Sequence, residues 1–219
     1  MKSKAFSVLT ALLLCLFAVS ASIAAPILCR PFYYAHIDAL KLPEKTGWTH
    51  GQIRKAYDDV LDFLLKDAPF ATGELAWSES GMSHFADCKV LFKLDLRIFA
   101  LSGAALAAVF AVQRAKKESL ARLAGRGPSF WAAIGMLALF GSFGAFAASD
   151  FDRAFTLFHK IFFPGKTNWV FDPAADQIIL VMPEEFFRDC GILIAGFLAV
   201  FITCYILAGR KRQARQHRR

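Results

Sequence analysis

The 219-residue chain predicts an all-α membrane protein, a four-transmembrane-helix bundle carrying two helical extracytoplasmic loops. Three observations predict it. Apolar residues make up 56% of the sequence and charged ones only 20%, a balance beyond that of ordinary soluble domains. The apolar residues are concentrated in four charge-poor blocks. The basic residues gather in alternate connections between those blocks.

The spans fall at about 5–28, 94–113, 129–149 and 189–209 within one membrane domain covering 1–219. Crossing a hydrocarbon core roughly 30 Å thick takes about 20 mostly apolar residues in a helix. Ala5 to Leu28, Pro128 to Ser149 and Cys190 to Gly209 carry no charge and clear that length. Ile98 to Gln113 is also free of charge and reaches it with Leu94 and Leu96, if Asp95 and Arg97 sit at the interface. The first block, with "MKSK" before it and "ASIAAP" near its end, also has the outline of a signal peptide. Its apolar run exceeds the roughly 7–15 residues of a usual signal core, which favours a retained span. The third span, "FWAAIGMLALFGSFGAFAAS", is rich in Gly, Ala and Ser, as expected of a helix that packs closely on its neighbours in lipid.

The net charge of +8 is not a nucleic-acid signal once it is sorted by segment. Lys2 and Lys4 precede the first span; Arg114, Lys116, Lys117, Arg122 and Arg126 against Glu118 fill the second connection; "RKRQARQHRR" follows the fourth span. This positive-inside pattern puts both termini, loop 114–127 and tail 210–219 in the cytoplasm of a bacterial inner membrane. Loops 30–93 and 149–189 then face outward. The basic tail suits anionic lipid headgroups. Cys15 and Cys204 lie within spans; Cys29, Cys88 and Cys190 lie where disulfides are permitted, an odd number that leaves at least one thiol unpaired within the chain.

In the first outer loop, "THGQIRKAYDDVLDFLLKD" reads as an amphipathic helix with a Thr49–Gln52 capping box and Ile53, Tyr57, Val60, Leu61 and Leu64 on one face. From about Met82 a second helix runs into the membrane, with His84, Asp87, Cys88, Leu91 and Asp95 on one face. In the second outer loop Phe151, Phe155, Phe158 and Phe162 form a helical stripe ended by Pro164 and Gly165, suited to the headgroup zone. His159 lies beside that stripe, with Asp152 on the same flank. Pro183, Glu184 and Glu185 read as the first turn of the fourth long helix.

Two of the five histidines stand out. His84 and His159 each lie on a helix near the outer membrane surface with a carboxylate on the same face, whereas His36, His50 and His217 have no such setting. Imidazoles exchange protons at neutral pH, and Asp87 or Asp152 could hold a ring in one tautomer. The same residues leave open a zinc set of His84, Asp87 and His159, although no HExxH or CxxC motif accompanies them. Nucleotide-binding and nucleophile-elbow motifs are absent, and no cofactor is expected. A metal-dependent lipid hydrolase and a non-enzymatic membrane assembly or sensor subunit are the alternatives to proton-transfer catalysis.

"SHFADCKVLF" and the later "FHKIFFPGKTNWVFDPAADQIILVMPEEFF" resemble the two outer-loop signatures of the lipoprotein intramolecular transacylases, small four-span bacterial membrane proteins. The resemblance extends over the whole chain in length, span number and loop order. It implies an acyltransferase that moves the sn-2 acyl chain of a diacylglyceryl-modified lipoprotein cysteine onto that cysteine's own α-amino group. The partners would be lipoprotein N-termini and the bilayer, with oligomeric state left open. By motif the two catalytic histidines correspond to His84 and His159. One would deprotonate the amine; the other, protonated, would stabilise the oxyanion or the leaving glycerol oxygen, with a transient acyl-histidine as a variant route. Asp87 would orient His84. Arg97, Trp169 with Asn168, and Asp152 are the candidates for holding substrate. The chain departs from the family pattern at Cys88, usually Val, at Gly81, often Glu, and in its basic tail.

Overall fold

The computed structural model describes residues 3–116 and 119–217, with side chains described through residue 209. Lys2, Lys117, Glu118 and the side chains of the basic tail, His217 among them, lie outside the described residues. Nine helices and no strand occur among the described residues: α1 (Lys4–Leu28), α2 (Arg30–Ala39), α3 (Leu42–Thr46), α4 (His50–Leu65), α5 (Glu79–Lys116), α6 (Pro128–Ser149), α7 (Phe151–Phe162), α8 (Ile178–Val181) and α9 (Glu184–His217). Helices α1, α5, α6 and α9 are long and apolar enough to cross a membrane. At about 1.5 Å per residue the 38 residues of α5 make it longer than a hydrocarbon core roughly 30 Å thick requires. The contacts fall into two compact units. One comprises Met1–Ala24, Leu96–Ser149 and Leu193–Arg219; the other comprises Ala25–Asp95 and Asp150–Ile192.

The first unit is the spanning one. Ala18, Met136 and Leu198 are buried at its centre, bordered by Cys15, Phe140, Phe201 and Tyr205. Polar atoms within the helices satisfy themselves locally: the hydroxyls of Thr10, Ser20 and Ser22 donate to carbonyls four residues back at 2.6–2.8 Å, as a medium without water requires. Tyr205 donates to the Leu14 carbonyl at 3.2 Å and ties α9 to α1. Close approach is achieved by Ala132 and Ala133, both buried, and by Gly103, where a Cβ would lie 3.2 Å from the Phe17 ring. The glycines of α6 behave otherwise. A Cβ on Gly135 or Gly144 would meet nothing within 4 Å, and one on Gly141 would meet only Leu137 of the same helix. Alanine, rather than glycine, makes the tight seam of this helix.

The second unit is built on α4. Thr49 and Gln52 form the reciprocal capping box, and Ile53, Tyr57, Val60, Leu61 and Leu64 are all buried, together with Ala56. Tyr33 of α2 stacks on Tyr57 with centroids 3.7 Å apart, and its hydroxyl donates to the Val181 carbonyl at 2.6 Å. The opposite face of α4 keeps its charges paired: Arg30 bonds Asp58 and Asp62, and Lys55 bonds Asp59. Helices α2, α3 and α8 have no counterpart in the periodicity of the sequence, being at most 10 residues long. Helix α5 begins at Glu79 rather than Met82, and α9 at Glu184 with Pro183 just ahead of it. All five cysteines are free.

Candidate active site

The site is assembled by three segments of the second unit: the first turns of α5, helix α7, and the connection 163–177. The start of α5 is held by a cap that joins the segment before it to the connection between α7 and α8. The Ser78 hydroxyl accepts from the Gly81 amide at 3.0 Å, while the Asp176 carboxylate accepts from the Ser78 amide and hydroxyl at 2.8 Å each. Asp176 is buried. A Cβ on Gly81 would fall 2.1 Å from Asp176 Oδ1, so only glycine admits that carboxylate. Gln177 adds two bonds, its amide donating to the Ala76 carbonyl at 3.0 Å and its side chain accepting from the Ala76 amide at 2.8 Å. The "FDPAADQ" stretch thus determines where the first turn of α5, and His84 on its second, must lie.

His84 and His159 meet. Their ring centroids are 5.7 Å apart, and they are 5% and 6% exposed. The surroundings are aromatic: Trp169 stacks on His159 at 4.7 Å, while Phe163 and Phe171 present their edges to His84 at 4.9 and 5.5 Å. His159 Nδ1 bonds the Phe155 carbonyl at 2.7 Å; a carbonyl accepts only, so Nδ1 carries the hydrogen and Nε2 keeps its lone pair. On the other ring, His84 Nε2 faces Cys88 Sγ at 3.4 Å, and Nδ1 is buried without a partner. Burial, reinforced for His84 by the neighbouring His159, lowers both pKa values, that of His84 to about 4. Both rings are neutral at pH 7. The same burial pushes the Cys88 thiol up to about 12.

Asp87 does not reach the His84 ring. It bonds Lys166 and accepts from Asn168 Nδ2 at 3.1 Å, and the Lys166 ammonium holds its pKa below the usual carboxylate value. Side chains three residues apart on a helix share a face, but which neighbour each meets depends on what packs there, and here it is the turn after Pro164. Asp152 is likewise turned away from His159: it is exposed and pairs with the Glu184 carboxyl. Trp169 stands at the pair, and Asn168 bonds Asp87 and Ser83, which flank His84 on α5; Arg97 is exposed on α5 and belongs to the other unit. The Phe stripe of α7 is not its buried face, since Phe158 and Phe162 are exposed while Ala154 and His159 are buried. His36, without a setting in the sequence, is saturated in the fold by the Phe32 carbonyl at 2.7 Å and Asp189 at 3.2 Å. No group of three or more His, Cys, Asp or Glu side chains that could hold a metal occurs among the described residues. Sequence reasoning missed Lys166, Asp176, Phe163 and Phe171; the Pro-bounded turns "FFPGK" and "FDPAAD" were the available signal.

The pair can move a proton and donate a hydrogen bond inside a water-poor aromatic enclosure, the requirements of acyl transfer. No curated protein matches the chain. Its structure is similar to that of the membrane-integral lipoprotein intramolecular transacylase Lit from Bacillus cereus, with a TM-score of 0.85, 22% identity, and coverage of 99% of this chain and 100% of that one. It is also similar to variants of that protein in which one histidine is replaced by arginine (TM-score 0.76, 23% identity, 97% and 92% covered) or by alanine (0.75, 22%, 97% and 94%). The family model described as lipoprotein intramolecular transacylase Lit matches residues 8–187, and by that match over most of its length the chain belongs to the Lit family of lipoprotein-modifying membrane transacylases.

Proposed function

We propose that the His84–His159 pair is the catalytic centre of this transacylase, moving the sn-2 acyl chain of a diacylglyceryl-cysteine onto its own α-amine. One observation supports it: two neutral, buried imidazoles 5.7 Å apart whose free nitrogens differ in kind. His159 Nε2, with its lone pair exposed to the site by the Nδ1–Phe155 bond, is the base. It takes a proton from the amine as nitrogen attacks the ester carbonyl, and returns it to the glycerol oxygen as the C–O bond breaks. His84 is the electrophile. With the Cys88 thiol, kept protonated by burial, as the donor to Nε2, Nδ1 carries the hydrogen, has no partner and serves the developing oxyanion. A neutral ring donates here, in place of the protonated one expected from the sequence, because burial disfavours the charged form. Because donor ester and acceptor amine belong to one molecule, holding them together supplies much of the acceleration. The chain works as a multi-pass protein with both termini cytoplasmic and the pair on the outer face, where lipoprotein N-termini are available.

The test is mass spectrometry of a reporter lipoprotein in a host lacking other N-acylating enzymes. Expression of the protein should convert diacylglyceryl-cysteine to an isobaric form with an acylated amine, recognised by its fragmentation. His84→Ala and His159→Ala should each lower conversion about 100-fold or more while the protein remains in the membrane. Unchanged activity in either variant would remove that histidine from the mechanism.

A further inference from the structure

We infer that the Asn168 side-chain oxygen is the acceptor that holds an N–H of the substrate's α-amine during attack, an assignment that rests on the transacylase reading of the histidine pair. The argument starts at Asp87. Paired with Lys166, its carboxylate is ionised and can only accept hydrogen bonds. The Asn168 carboxamide must therefore turn its NH₂ toward Asp87, which it contacts at 3.1 Å, and secondarily toward Ser83 at 3.4 Å. That orientation leaves no choice for the other end: Oδ1 faces away from Asp87 and is buried without a partner. Of the three such buried atoms among the described residues, His84 Nδ1, Asn168 Oδ1 and Asp95 Oδ2, the first two belong to this site.

They are complementary in kind. In the proposed tautomer His84 Nδ1 is a donor without an acceptor, and a developing oxyanion fits it. Asn168 Oδ1 is an acceptor without a donor. A diacylglyceryl-cysteine offers ester and amide carbonyls, all acceptors, and two kinds of N–H: the α-amine and the peptide amides. The residue next to Asn168 singles out the amine, because Trp169 is stacked on His159 at 4.7 Å, the ring that receives the amine's proton. An attacking neutral amine has two hydrogens. His159 removes one as the C–N bond forms; the other is retained in the amide product, and Asn168 Oδ1 fixes its direction and hence that of the nitrogen lone pair.

The experiment compares two synthetic diacylglyceryl-cysteine lipopeptides, one with a primary and one with an N-methylated α-amine, on the full-length protein in detergent. Wild type and Asn168→Leu are used, leucine keeping the volume without the acceptor. Loss of one hydrogen bond to a group that gains charge in the transition state is worth about 10–100-fold. Wild type should favour the primary amine by at least that factor in kcat/KM. Asn168→Leu should reduce that preference by about 10–100-fold, down to the steric effect of the methyl group, which is common to both proteins. A preference kept in full by the variant overturns the assignment while leaving the transacylase reading intact. So does equal turnover of the two substrates by wild type, which needs no variant to fold. Wild type inactive on the primary amine removes the underlying reading, and the assignment with it.

Discussion

At the residue scale the informative contrast is between two histidines that look alike in sequence and are wired oppositely. His159 has spent Nδ1 on a backbone carbonyl; His84 has spent Nε2 on a thiol. In the proposed mechanism this leaves one with a lone pair and the other with a hydrogen. Their pH behaviour follows from burial. Because both pKa values lie below the ordinary histidine value of 6.5, both rings remain neutral, and so competent, from neutral pH down through 6.5, and lose competence only below it. The substrate's own α-amine, with a reference pKa of about 7.7–8.0, must also lose its proton. The logarithm of kcat/KM should therefore rise with slope one between about pH 6.5 and 7.5, through the amine alone, and steepen toward slope two below 6.5. A steepening already complete above pH 7 would contradict the buried, neutral pair. It is measured with lipopeptide substrate across that range.

At the scale of elements, α5 is directed by its first turn. Helix ends need partners for their first amides, and here the partner is a hydroxyl that is itself held by a carboxylate from the connection between α7 and α8, 98 residues away. Capping and positioning are one device. Gly81→Ala should place a methyl where the Asp176 carboxylate stands, costing about 1–3 kcal/mol as overpacking does, and should lower turnover more than it lowers the melting temperature, because His84 follows the displaced turn. Asp176→Ala should cost about 1–2 kcal/mol through the weakened cap with the same bias toward activity. Thermal unfolding in detergent alongside turnover separates the two. Equal losses in both variants, with activity unaffected once the protein is folded, would show that the cap supports the fold without directing the histidine.

At the scale of the whole molecule, the outward side of the second unit is a matter of topology and can be read by chemistry. Cys29 is exposed at the junction of α1 and α2. In intact cells a membrane-impermeant maleimide should label it. In a Cys29→Ser, Gly127→Cys protein, labelling of the new thiol in the connection between α5 and α6 should require permeabilisation, as a cytoplasmic position demands. The reverse pattern would invert the topology and put the histidine pair on the wrong side for lipoprotein N-termini.

What the sequence by itself determined is whatever depends on composition and period. Charge-free length marks the four membrane helices, because lipid tolerates little else. A 3.6-residue period marks α4 and its buried face down to the five residues named from it, and Thr49 with Gln52 marks its start. The same period singles out His84 and His159 as residues on helices near the outer surface. Tertiary structure alone decided the rest. It brought the two rings together and gave Asp87 to Lys166 and Asn168 instead of His84. It also denied the α6 glycines their packing role. The deciding contacts join segments far apart in the chain, 79 residues for Lys166 with Asp87 and 98 for Ser78 with Asp176. Periodicity says which face of a helix is apolar; only the packing of the outer loops on one another says which side chain that face meets.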